Sequence, residues 1–173
     1  MKKLFIIGLM FLFTNISAQE EIPESTQTEV KTITADGFTF VYGIDGENLK
    51  GSLSFKTSGW VSVGFNPSKA MKDANIIIGY AHPENPVISD HFGSGTYKHE
   101  ADTLIGGKDN IISGSCSEKD GITTLSFTIP LDSGDSRDTV LKKDSTVKVI
   151  FAAGKDKNLK KKHSKRTKAE IVL

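Results

Sequence analysis

Apolar and polar residues alternate with a period near two along much of this chain. Phe38, Phe40 and Tyr42 alternate with Thr39 and Val41. Leu53 and Phe55 alternate with serines and Lys56. Val61, Val63 and Phe65 share one face of the run Trp60 to Phe65, and Leu125, Phe127 and Ile129 alternate with Ser126 and Thr128. Val147, Val149 and Phe151 repeat the pattern, and Ile171-Val172-Leu173 closes the chain. Successive strand side chains point to opposite faces, so this period predicts strands with one face on a core. Ile76-Ile77-Ile78 is continuously apolar, as in a strand buried on both sides.

Turn chemistry falls between these runs. Asp36-Gly37, Asp45-Gly46 and Asp120-Gly121 supply residues that tolerate positive φ. Asp120-Gly121 predicts the tip of a hairpin joining a strand near Ile111 to one near Ile122. No segment keeps a helical period, apart from a turn or two near Ser68 to Asp73. Many short strands at regular spacing predict an all-β sandwich or barrel, and no internal repeat is evident.

The first residues have a different character. Met1-Lys2-Lys3 is basic, Leu4 to Phe13 is almost wholly apolar, and Ile16-Ser17-Ala18 offers small residues at a cleavage point. This is the layout of a signal peptide over residues 1–18. The apolar run is far short of the roughly 20 residues a membrane-spanning helix needs, and nothing later is longer. Export to the periplasm or the extracellular space is therefore expected. Residues 19–27 are polar, acidic and contain Pro23, and read as a flexible lead-in. Residues 28–173 are long enough for one domain with a real core. Cys116 is the single cysteine, so no intramolecular disulfide is possible. It reads as a half-buried strand residue.

Net charge is close to neutral but unevenly spread. Lys155, Lys157, Lys160, Lys161, Lys162, Lys165, Arg166 and Lys168 crowd one short segment. The plain reading is a solvated loop; the sharper one is a docking surface for an acidic redox partner. Nucleic acid is not an expected partner of an exported chain.

Enzyme signatures are few. There is no Gly-x-Ser-x-Gly, phosphate-cradling glycine loop or His-Glu-x-x-His. Gly93-Ser94-Gly95 and Ile105-Gly106-Gly107 are too weak to count. His82, His91, His99 and His163 are spaced for no zinc site. Asp132-Ser133-Gly134-Asp135-Ser136-Arg137-Asp138 has the composition of a calcium loop without the distal glutamate of an EF-hand, and reads first as a turn whose aspartates bond their own backbone. Beyond the leader one methionine remains, Met71, in a loop-like stretch flanked by Pro67, Lys69 and Lys72. Far downstream lies His163. A thioether and an imidazole are a standard axial pair for haem iron, although a lone methionine is more often core filler. Any haem would be held non-covalently, since no Cys-x-x-Cys-His is present.

These residues also form an ordered set. Gly59-Trp60-Val61-Ser62-Val63-Gly64-Phe65-Asn66 is followed by Met71, then Asp73-Ala74-Asn75 and the run Ile76 to Tyr80. Pro130-Leu131-Asp132-Ser133-Gly134-Asp135 with Asp138, Phe151-Ala152-Ala153-Gly154 and His163 complete it. The order resembles the DOMON domain, from roughly Phe38 to Leu173. The chain departs from that pattern at Asn75, where the family often has aspartate, and matches it less clearly from His91 to Gly107.

The resemblance implies an immunoglobulin-like β-sandwich of mostly antiparallel strands. It also implies a b-type haem at one end of the sandwich, with Met71 and His163 as axial ligands and His99 as a rival to His163. Such a site suits single-electron transfer, with no catalytic constellation of its own. The redox partner would be a membrane cytochrome or a periplasmic oxidoreductase. The alternative implied by other members is a carbohydrate or small-ligand module without redox activity. Trp60 reads first as a core tryptophan whose indole N–H needs a partner, and second as a residue near the haem or a sugar.

Overall fold

The computed structural model describes residues 29–173. The expected leader and the whole lead-in lie outside the described residues. Among the described residues the chain forms two antiparallel sheets packed face to face. The first contains β1 (Val30–Ala35), β2 (Phe38–Asp45), β3 (Asn48–Lys56), β9 (Ile122–Pro130) and β8 (Ser113–Lys119), in that spatial order. The second runs β11 (Lys165–Val172), β10 (Thr146–Ala153), β4 (Val61–Phe65), β5 (Asn75–Tyr80), β6 (Val87–Gly95) and β7 (Lys98–Ala101). A 3-10 turn at Asp102–Leu104 follows β7.

The alternating residues meet between the sheets. Phe38, Phe40, Leu49, Leu53, Leu125, Phe127 and Ile129 face Val61, Val63, Phe65, Ile77, Val149 and Phe151 in one continuous core. Aromatic rings knit its centre: Phe40 lies against Tyr42, Phe65, Phe127 and Phe151 with ring centroids 5.3–6.4 Å apart. Offset and edge-on pairs of this kind add to area burial. Cys116 on β8 also faces this core. It is buried rather than half-buried, and burial pushes its thiol up to about 11.

Local chemistry sets the connections. Asp36-Gly37 and Asp120-Gly121 each place two residues at positive φ, the turn whose twist matches paired strands. The latter joins β8 to β9 as expected, although β8 begins at Ser113 rather than near Ile111. The Ser68 to Asp73 stretch is not helical. Ala70 and Asp73 have positive φ, and Lys69 and Lys72 pair as an isolated bridge. The lysine-rich segment is the expected solvated loop only as far as Ser164. From Lys165 onward it is the edge strand β11, paired along its length with β10. Its exposed and half-buried residues alternate, and edge lysines protect a strand from pairing with another chain.

Candidate functional site

The outer face of the six-stranded sheet carries a second apolar surface. β4 and β5 are buried on both faces, as the Ile76–Ile78 run predicts. Register sets Ile76, Gly64 and Ile150 side by side, and Ile78, Ser62 and Ala152 in the next row. Ile76 and Ile78 form a separate cluster with Trp60 and Ala74, against which Met71, Ile150, Ala152 and Leu159 pack. Over this floor opens a cavity of about 940 Å³. Gly64 leaves room there, because a β-carbon would lie 2.9 Å from Ile150 Cγ1 and 3.1 Å from Ile76 Cγ1.

Met71 and His163 line this same cavity from opposite stretches of sequence, and His99 lines it too. The fold thus gathers the expected pair and its rival around one space. That space lies on a sheet face, where the resemblance implied an end of the sandwich.

Met71 is held by backbone contacts to the β6–β7 hairpin. Its amide donates to the Thr96 carbonyl at 3.3 Å, Asp73 N donates to Gly93 O at 2.8 Å, and Gly93 N donates to Ala74 O at 2.9 Å. Ser68 Oγ donates to the Asp73 carboxylate within the loop. Gly93 lets the two segments meet. A β-carbon there would fall 1.6 Å from the Met71 carbonyl oxygen. As a phosphate loop Gly93-Ser94-Gly95 is too weak to count, and its role is this close approach, for which a glycine inside a strand is the sequence signal.

His163 sits in the loop from β10 to β11, just before the edge strand. Ser164 N donates to Ala153 O at 2.8 Å, and Trp60 N donates to Asp156 O at 3.1 Å. Asp156 caps the loop by accepting from Asn158 N at 3.0 Å and pairing with Lys161 Nζ at 2.9 Å. His163 is half-buried. Burial, then Arg166 and Lys162, holds its imidazole below the ordinary histidine range, favouring the neutral ring. Lys160, Lys161, Lys162, Lys165 and Arg166 form a basic rim.

Trp60 is buried, at 3% exposure, but not between the sheets. It belongs to the outer cluster and lines the cavity, and its Nε1 has no hydrogen-bond partner among the described residues. His99 lies on β7 beside His91, and burial lowers its basicity. His82 lies in the β5–β6 connection, where its Nδ1 accepts from Glu84 N. In the calcium-like run, Asp132 and Asp135 accept from the backbone of Gly134 and Arg137 at 2.9 Å, the self-bonded turn that was expected.

The family model described as the DOMON domain matches residues 34–154. The chain belongs to the DOMON domain family. Met71 lies inside the matched region and His163 beyond its end. Curated relatives include DBH-like monooxygenase protein 1 of Mus musculus, 31% identical over 111 residues, and that of Homo sapiens, 29% identical over 107 residues. These alignments cover 64% and 62% of this chain but only 17% of each relative. Among solved structures, the chain is similar to the cytochrome b domain of pyranose dehydrogenase from Coprinopsis cinerea. The TM-score is 0.56 at 15% identity, covering 78% of this chain and 75% of that one. It is also similar to the cytochrome domain of Myriococcum thermophilum cellobiose dehydrogenase, with a TM-score of 0.55 at 11% identity, covering 83% and 81%. At such identities the likeness shows the fold: this DOMON domain is an all-β sandwich of the architecture those domains have.

Proposed function

We propose that this DOMON domain is an exported b-type cytochrome, holding haem non-covalently on the outer face of its six-stranded sheet. The observation that carries the reading is the meeting of Met71 and His163 at one apolar-floored, basic-rimmed cavity. The residues present fit the group. A volume of about 940 Å³ is at the upper end of the roughly 300–1,000 Å³ of small-molecule and cofactor sites. Gly64 and Ala152 keep the floor flat, and the lysines suit a ligand with carboxylates at its edge.

Met71 would offer its thioether and His163 a neutral ring nitrogen. Haem held by these two side chains would supply a one-electron couple. The chain's own residues do the rest. Burial and the nearby cations lower the basicity of His163 and so favour its neutral ring. Ile76, Ile78 and Ile150 exclude water, which favours the less charged iron state. The basic rim steers an acidic redox partner, such as a membrane cytochrome or a periplasmic oxidoreductase. A sugar-binding role would call for a platform of exposed aromatics. At this cavity Tyr97 is 80% exposed, whereas Trp60 is buried.

Visible spectra of the chain expressed with haem available test the reading. A sharp low-spin b-type spectrum that Met71→Ala and His163→Ala each abolish is expected. A colourless protein that cannot be reconstituted overturns it. A spectrum surviving His163→Ala but lost in His99→Ala moves the ligand to β7.

A further inference from the structure

A second constellation lies on the opposite face of β6. Asp90 points from β6 into the sandwich beside Ile77, Asp102 opens the 3-10 turn after β7, and Asp138 comes from the loop between β9 and β10. One carboxylate oxygen from each lies within 4.8 Å of the others. Asp90 is 2% exposed and Asp102 fully buried.

These carboxylates are poorly satisfied by the protein. Asp90 Oδ2 accepts from Asn110 N at 3.0 Å, and Asp138 Oδ2 accepts from Ser133 Oγ at 2.5 Å. Asp90 Oδ1, Asp138 Oδ1 and both oxygens of Asp102 have no partner among the described residues. Arg137 does not close the gap. Its Nη2 donates to Ile105 O at 3.1 Å, its guanidinium lies over Phe92, and its Nε is unpartnered. Asp109 and Asp135 add negative charge nearby, and Asp135 is occupied by the Lys108 and Arg137 amides. Burial, reinforced by neighbouring carboxylates, pushes Asp90 up to about 8 and Asp102 up to about 7. An unpaired buried charge is strongly unfavourable.

The Asn110 carboxamide helps only Asp138: its nitrogen donates to Asp138 Oδ2 at 3.1 Å and to the Lys108 carbonyl oxygen at 3.3 Å. The frame is also fixed in advance: Asp102 O accepts from Ile105 N at 3.0 Å and Gly107 N at 2.8 Å.

We propose that Asp90, Asp102 and Asp138 bind a calcium ion that ties the β6–β7 edge to the loop before β10. All the donors are oxygen, which selects a hard cation. The site is largely buried and drawn from separate segments. Calcium tolerates that, whereas magnesium demands near-octahedral geometry and retains water. This inference stands apart from the haem reading, because the cluster lies inside the sandwich and the cavity outside it.

Calorimetric titration and thermal melts of the chelator-treated protein with calcium or magnesium chloride test it. At a hundredfold excess over Kd, calcium is expected to raise the melting temperature by roughly 5–10 °C, with magnesium giving a smaller shift. Asp102→Asn should melt no lower than the parent in chelator, since it removes a buried charge, and should bind calcium at least tenfold more weakly. Asp138→Asn, at the most accessible position, should weaken calcium in the same way. No heat and no melting shift up to millimolar calcium overturns the site. So does an Asp102→Asn protein that responds like the parent. An equal response to magnesium overturns the assignment to calcium.

Discussion

His91 on β6 and His99 on β7 face each other with their Nδ1 atoms 3.0 Å apart. The rings are tilted, with centroids 5.0 Å apart. At that distance one Nδ1 must donate and the other accept, so both imidazoles cannot be protonated together at this spacing. Burial, and then the proximity of His99, lowers His91 to about 4. The pair also limits His99 as a rival axial ligand, because only its Nε2 is then free to face the cavity.

A pH dependence follows with a definite sign. His91 in the unfolded chain takes a proton near pH 6.5, while in the fold it resists until about pH 4. The contribution is complete above about pH 6.5 and lost as pH falls toward 4. Asp90 and Asp102 titrate in the opposite sense, so a difference between proteins is the informative quantity. Denaturant unfolding of the haem-free chain at pH 7.5 and 4.5 should show the parent losing about 1–2 kcal/mol more than His91→Gln, after allowance for partial exposure. Equal losses in both proteins would remove the role assigned to the pair.

The same hairpin shows where sequence reading reaches its limit. The core strands were legible because a period of two survives wherever one face is buried, as in Phe38–Tyr42 and Leu125–Ile129. The Ile76–Ile78 run announced burial on both sides, and the outer-face cluster is its consequence. β6, β7 and the lysine-bearing part of β11 were not legible. Lys98 and the lysines of β11 lie on the edge strands of the sheet, where polar residues occupy strand positions. Met71 and His163 were found as types in an order. That they share a space depends on Gly93 and on the loop laid over Trp60, both long-range contacts. The carboxylate cluster was invisible for the same reason: Asp90, Asp102 and Asp138 lie on three separate segments, and only Asp138 belongs to a suggestive run.

Gly93 gives a direct test of how Met71 is placed. Its missing β-carbon makes room for the Met71 carbonyl, and any side chain forces the loop outward. Gly93→Ala should cost roughly 2–3 kcal/mol in unfolding free energy, as overpacking against backbone does. If Met71 is an axial ligand, the same change should weaken haem retention by at least tenfold. Transfer of haem to a scavenging apoprotein reads that loss. Retention unchanged beside a clear stability cost would place the sixth ligand elsewhere.

Thr123 is a wholly buried hydroxyl that organises the approach to the cavity. Its Oγ1 lies 2.7 Å from Thr57 O and 3.1 Å from Gly59 O, while Thr57 Oγ1 donates to Gly154 O at 2.7 Å. These bonds fasten the β3–β4 connection to the end of β10, where the loop bearing His163 begins. Thr123→Val keeps the volume but leaves both carbonyls without that donor, at a cost of about 1–3 kcal/mol. Urea midpoints should fall with an unchanged m-value. Hydrogen exchange should quicken at Trp60 and Gly154, whose amides donate across this junction.

The basic rim predicts how electrons leave the protein if haem is bound. Lys160 and Lys165 line the cavity mouth and, unlike Lys162 and Arg166, are not among the groups that lower the His163 pKa. Reversing both to glutamate changes the local field by four charges while sparing the groups acting on that ring. At low ionic strength, oxidation of the ferrous protein by anionic ferricyanide should slow by roughly tenfold in the double variant. Oxidation by a cationic cobalt complex should quicken. The Debye length is about 10 Å at 0.1 M salt and about 3 Å at 1 M, so both effects should shrink steeply between those concentrations. Stopped-flow traces across that range measure it. Rates insensitive to reagent charge would mean that the electron leaves by a face other than this rim.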